Sequence, residues 1–173
     1  MGQMLIFGLG YSASVIAARL RGAGWHVRAT GSAGDMAFAD RGAVEAALAA
    51  ASHVLSSVPP SGELDPVLAE YGASLGGKRL AYLSSTGVYG DTGGAWVDES
   101  ARIGGGRRSA RADADARWLA LGAHVLRLPG IYGPGRSAFE RVEQGKAHRI
   151  DLAGQVFSRV HVDDIASGAI AAL

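Results

Sequence analysis

The sequence predicts an α/β domain, doubly wound around a parallel sheet, and three observations carry that expectation. Short apolar runs of strand length alternate along the chain with segments of helical periodicity. The first run, Gln3 to Gly8, is continuously apolar after Gln3, as a central strand covered on both faces must be. It passes through a glycine turn into a helix and then into a second strand by Thr30. That βαβ unit requires parallel pairing.

The elements follow in order. From Ser12 the residues Val15, Ile16, Ala18 and Leu20 form the apolar face of a helix closed by Gly22 and Gly24. Trp25 to Thr30 reads as the second strand, Met36 to Ala39 as a short third one, and Gly42 to Ala51 as an alanine-rich helix. His53 to Val58 is a strand stopped by Pro59-Pro60, Leu64 to Leu75 a helix, and Arg79 to Ser85 a strong strand. A glycine-rich loop is expected over 87–106, a helix over 109–121, a strand over 124–128 and a Pro/Gly loop over 129–136. A short helix over 136–144, a strand over 156–162 and a helix over 163–173, capped by Asp163 or Asp164, complete the series.

One connection breaks the alternation. Only Gly31 to Asp35 separates the second and third strands, whereas a parallel crossover needs about a dozen residues or more. Either the third strand is not a parallel neighbour of the second, or a segment usual in this architecture is absent.

Composition narrows the function. The 173 residues include 17 Lys and Arg, 16 Asp and Glu, 5 His and no Cys. A hydrophobic content of 48% excludes a disordered chain. A net charge of +1 leaves no electrostatic footprint for nucleic acid or an anionic membrane, so neither is expected as a partner. Without cysteine there is no disulfide framework and no thiolate nucleophile, and the five histidines show no metal-ligand spacing. No apolar run approaches a membrane span, and no basic segment precedes the apolar start. One cytoplasmic globular domain over 1–173 is expected.

Two motifs could carry chemistry. Gly8-Leu9-Gly10-Tyr11-Ser12-Ala13 is a G-x-G-x-x-A between a strand and a helix. Gly8 permits the tight turn, Gly10 lets the backbone approach a pyrophosphate, and Ala13 allows close helix–strand packing. With Tyr11 and Ser12 at the helix N-terminus, this is a dinucleotide site candidate. The acid that would bind the ribose hydroxyls of NAD should fall near Thr30, yet Ala29 to Ser32 carries none. Thr30 and Ser32 stand there instead, so the cofactor expected is NADP or NAD, with a slight lean to NADP. The second motif, Leu83 to Gly90, places Ser84, Ser85 and Thr86 at a strand's carboxyl end, where ligands sit in open α/β sheets. A Ser/Thr cluster satisfying the backbone of a turn fits the same residues equally well.

Four segments resemble the extended short-chain dehydrogenase/reductase superfamily, in its NAD(P)-dependent epimerase/dehydratase group. They are LIFGLGYSAS at 5–14, YLSSTGVYG at 82–90, VLRLPGIYGPGR at 125–136 and FSRVHVDDIASGAIAAL at 157–173, and they span the chain in the family's order. The glycine spacing is closer to atypical members. The resemblance implies a Rossmann-type sheet and an oxidoreductase or epimerase acting on a hydroxyl or carbonyl carbon of a small, sugar-nucleotide-like substrate. Ser85 would orient the substrate oxygen, and Asp40 matches the position that meets the adenine ring, although it equally suits the cap of the following helix. Val58 and Pro59, at the end of their strand, and Pro129, Gly130 and Ile131, beside the nicotinamide, would complete the cofactor site. A homodimer through helices corresponding to 64–75 and 109–121 is implied by the same likeness.

The chain departs from the family in two places. None of its five tyrosines has a lysine four residues on, and aligning Asp115 with the family's acidic helix position puts Arg107 and Arg111 where the catalytic Tyr and Lys belong. Arginine stays charged at accessible pH and cannot serve as the proton donor, though Arg111 could hold a ribose or an oxyanion. Tyr132 and Tyr89 are then the tyrosines open to recruitment. The family also continues beyond the V-H-V-D-D helix into a substrate-capping region. The expectation is therefore a shortened Rossmann domain with little or no C-terminal substrate subdomain. A non-catalytic NAD(P)-binding or sensing module is the alternative.

Overall fold

A computed structural model describes residues 2–104, 109–148, 151 and 153–173. Five parallel strands form the main sheet: β1 (Gln3–Phe7), β2 (His26–Ala29), β3 (His53–Ser56), β4 (Arg79–Ser85) and β5 (His124–Leu128), in the spatial order β2-β1-β3-β4-β5. Leu5 pairs with Arg28 on one side and Val54 on the other, which fixes β1 as the central strand its apolar run predicts.

Helices cover both faces. α1 (Tyr11–Gly22) and α6 (Val162–Ala172) lie on one face with Met4, Ile6, Leu55, Ala81 and Leu83. α2 (Arg41–Ala50), α3 (Pro66–Tyr71) and α4 (Ser109–Ala120) lie on the other, over a core built on Leu5, Phe7, Val54, Tyr82 and Trp118. Successive residues of β4 thus serve opposite faces, and its last two, Ser84 and Ser85, are separated in the same way. The winding reverses at β1, which receives β2 on one side and β3 on the other, and an open α/β sheet has its ligand crevice at such a switch point.

The third strand expected over 36–39 does not form. Met36 makes only an isolated parallel bridge to Thr30, and the chain turns at once into α2. Five residues cannot carry a crossover, so β2 is an edge strand. Phe38 packs instead against Phe7 and Tyr71, at ring-centroid distances of 6.0 and 5.3 Å.

Two further expectations are corrected. The 129–136 segment is not wholly loop: β6 (Gly130–Tyr132) pairs in parallel with β7 (Arg159–His161) as a separate two-stranded sheet, and α5 (Ala138–Glu143) follows. α6 is capped neither by Asp163 nor by Asp164. It begins at Val162, and the His161 ring Nδ1 accepts the Asp163 N–H at 3.2 Å. The expected 87–106 loop opens as a 3₁₀ turn over Thr86–Tyr89, and Arg107 lies outside the described residues. Among the described residues no helix is long and apolar enough to cross a membrane, and no acidic or histidine cluster is placed to hold a metal.

Candidate dinucleotide site

The site grows from the β1–α1 turn. Gly8 has φ +82°, and a Cβ there would stand 3.0 Å from Val58 Cγ2 and 3.1 Å from Ser57 Oγ. Only glycine makes this turn without strain. Three partners brace it: Thr30 Oγ1 accepts the Gly8 N–H at 3.0 Å, the Thr30 carbonyl accepts the Leu9 N–H at 2.8 Å, and Ser57 Oγ donates to the Gly8 carbonyl. Thr30 is buried. Its hydroxyl is therefore committed to the turn at the position where an acid would bind ribose.

Gly10 is the N-cap of α1, and no side chain caps the helix. The leading N–H groups of Tyr11, Ser12 and Ala13 have no acceptor within the helix. A Cβ on Gly10 would meet nothing within 4 Å, so the turn opens outwards at this point. Ala13 is fully buried against the sheet, as the motif requires. Open backbone donors at a helix N-terminus beside a glycine with free space match a pyrophosphate. Bound here, a nicotinamide dinucleotide would supply hydride transfer.

The remaining candidates fall into three groups. Val58 and Pro59 follow β3; half-buried Val58 borders the glycine turn, and Pro59 is exposed. Ser32 is exposed in the loop after β2, while Asp40 caps α2 by accepting the Ala43 N–H at 3.1 Å. Pro129, Gly130 and Ile131 run from β5 into β6, with the Gly130 N–H on the Ser158 carbonyl at 3.1 Å and Ile131 packed on the α1/α6 face.

Ser84 and Ser85 part company. Ser84 is buried and donates to Asp115 Oδ2 at 2.7 Å on the α4 face. Ser85 is half-buried and accepts the Gly87 N–H at 3.2 Å. Arg111 reaches the Tyr82 hydroxyl at 2.9 Å rather than Ser85. Burial pushes the Tyr82 phenol up to about 12, against the opposing pull of Arg111. Tyr132 is exposed, its ring edge-on to His161 at 5.0 Å.

Sequence reasoning missed three residues. Ser57 braces Gly8 from the end of β3, a contact across 49 residues that no local spacing reports. Arg127 makes a two-pronged pair with fully buried Asp115, at 2.8 and 3.1 Å, and donates to the Tyr89 hydroxyl at 3.0 Å. Its alternating position in VLRLP placed it on a strand face, but nothing local named its partner. Arg136, the third, stands over the ring of Tyr11, with Cζ 5.5 Å from the ring centroid. Beside the Thr86–Tyr89 turn opens a cleft of about 1210 Å³, lined in part by Tyr89, Trp96, Arg127 and Phe157.

No protein-family model matches the sequence, and no curated protein matches it. Solved structures do. A functionally unknown conserved protein from Silicibacter pomeroyi superposes with a TM-score of 0.84 at 37% identity, over 99% of this chain and 67% of its own. A protein from Methylobacillus flagellatus described as an NAD-dependent epimerase/dehydratase gives 0.74 at 25% identity, over 98% and 69%. The UDP-glucose 4-epimerase of Thermus thermophilus, solved in complex with NAD, shares the fold at 0.69 and 21% identity, over 98% and 74%. Likeness along nearly the whole chain, together with the glycine turn at the switch point of a parallel sheet, identifies this chain as a member of the extended short-chain dehydrogenase/reductase superfamily.

Proposed function

We propose that the chain binds NAD(P) at the Gly8–Ala13 turn and acts as an oxidoreductase or epimerase on a hydroxyl or carbonyl carbon of a small, sugar-nucleotide-like substrate. The observation that carries the reading is the uncapped, outward-opening N-terminus of α1 at the switch point. In this reading Tyr11, Ser12 and Ala13 offer backbone donors to the pyrophosphate. Ser85 presents its hydroxyl to the substrate oxygen from the end of β4, and Pro129 to Ile131 flank the nicotinamide. The cleft beside Thr86 takes the substrate.

The end of β2 favours tolerance of a 2′-phosphate. Its nearest acid, Asp35, is turned back: the carboxylate accepts the Ala29 N–H at 2.6 Å and pairs with Arg28. Engaged in this way, Asp35 is not free to repel the phosphate, and NADP(H) should bind at least as well as NAD(H). Titration of the chain with NADH and NADPH, followed by nicotinamide fluorescence, should saturate with at least one. Absence of binding at millimolar cofactor overturns the reading. Among substrates that oxidise NADPH in the presence of the chain, Ser85→Ala should abolish turnover and leave cofactor affinity within about threefold, because its hydroxyl serves the substrate rather than the dinucleotide.

One observation favours the second reading, a dinucleotide-binding module without turnover. The chain has two lysines, Lys78 and Lys146, and neither stands four residues after a tyrosine. Lys78 Nζ is bonded to the Ala51 carbonyl beside the opposite end of β4, and Lys146 Nζ to Gln144 Oε1. Saturable cofactor binding with neither cofactor oxidation nor epimerisation across carbonyl and sugar-nucleotide substrates would select this reading.

A further inference from the structure

We propose that Arg136 binds a phosphate of the dinucleotide seated on the Gly8–Ala13 turn, an inference that rests on the dinucleotide reading above. The turn and the start of α1, Gly8 to Ser14, contain no cation of their own. Arg136 arrives there from the β6–α5 connection by a series of specific contacts. The Tyr11 hydroxyl donates to the Pro134 carbonyl at 2.9 Å, tying residues 123 apart in sequence. The Arg136 N–H closes the turn on the Gly133 carbonyl at 2.9 Å. The guanidinium then stands over the ring of Tyr11, the first residue of α1.

This approach depends on Gly133. Its φ is +154°, and a Cβ there would stand 2.6 Å from the Tyr11 hydroxyl and 2.7 Å from Val162 Cγ1. A larger residue would have to push the Tyr11 and Val162 side chains aside. The guanidinium is not neutralised. Glu140, the acid that closes this connection, accepts the Gly135 and Ser137 N–H groups at 2.9 and 2.7 Å, completing the capping box of α5. Among the described residues no carboxylate pairs with Arg136. An exposed guanidinium, unpaired among the described residues and standing over the side chain of the first residue of α1, supplies the charge-assisted donors that a phosphate takes in pairs.

The test is a titration with NADH of the intact chain and of Arg136→Ala and Arg136→Lys, each at about 50 and about 500 mM KCl, since screening weakens the exposed charge. The wild type should bind more weakly at high salt. At low salt Arg136→Ala should bind roughly tenfold or more weakly, the scale of a lost charged hydrogen bond, and should lose most of the salt dependence. Arg136→Lys should fall between, keeping charge without the planar fork. Unaltered affinity in Arg136→Ala overturns the proposal and leaves the dinucleotide reading standing. Weaker affinity with the full salt dependence retained overturns it too, since the loss would then come from loop geometry. A wild type that does not bind NADH or NADPH overturns both.

Discussion

Ser84, Asp115, Arg127 and Tyr89 form a polar chain that joins the end of β4 to α4, β5 and the turn after β4. Asp115 is fully buried, and its hydrogen bonds to Arg127 raise the guanidinium above its already high value. A buried pair of this kind is costly to break from one side. Asp115→Ala leaves Arg127 without its counter-charge and should cost about 3–5 kcal/mol in urea unfolding. Ser56 is the opposite case, since its hydroxyl is buried with no partner among the described residues. Ser56→Ala removes an unsatisfied group and should leave stability unchanged or raise it by up to about 1 kcal/mol in the same measurement. Glycine is fixed equally firmly at position 133. Gly133→Ala should lower the thermal midpoint by forcing Tyr11 and Val162 apart.

At the scale of elements, the loss of the third strand explains how β2 survives as an edge. Three of its outward groups are occupied: Arg21 Nη2 donates to the Val27 carbonyl at 3.1 Å, Asp35 Oδ1 takes the Ala29 N–H, and the Asp35 and Met36 N–H groups donate to the Ala29 carbonyl at 3.0 and 3.3 Å. Exposed edges invite foreign strands, and side chains here take the place of one. Partial burial works against the charged form of Asp35. The hydrogen bonds from Ala29 and Arg28 outweigh it and hold the carboxyl below its ordinary 3.8. A depressed folded value means that the contribution is complete above the unfolded value and is lost as pH falls through the folded one. Asp35→Ala should therefore be less stable than wild type at pH 7, with the gap closing only below about pH 4.

Periodicity made the βαβ start and the β4 and β5 strands legible, because each buries a continuous or alternating apolar set. It misled at 36–39, where Met36 and Phe38 are apolar for packing rather than pairing. It was silent at 130–132, since a three-residue strand leaves almost no pattern. His161, not the aspartates after it, caps α6, because helices begin where the backbone turns and not at the first favourable residue type.

For the molecule as a whole, the order β2-β1-β3-β4-β5 brings together residues from distant segments at one end of the sheet: Gly8 and Gly10 after β1, Val58 after β3, Ser85 on β4 and the Gly130–Arg136 stretch beyond β5. The glycine motif was legible because its chemistry is local. Ser57, Arg127 and Arg136 were not, because their roles exist only once segments 49, 12 or 123 residues apart in sequence are adjacent. The most direct test of dinucleotide binding is Gly10→Asp, compared with wild type in NADH and NADPH titration and in thermal unfolding. Gly10 has ordinary extended φ and ψ and free space at its Cβ, so aspartate can cap α1 there without strain. Its charge would occupy the place of the pyrophosphate. The expected result is saturable binding in the wild type, binding lost in Gly10→Asp, and a thermal midpoint equal to or above that of the wild type. Equal cofactor affinity in the two proteins, or no saturable binding in the wild type at millimolar cofactor, would contradict it.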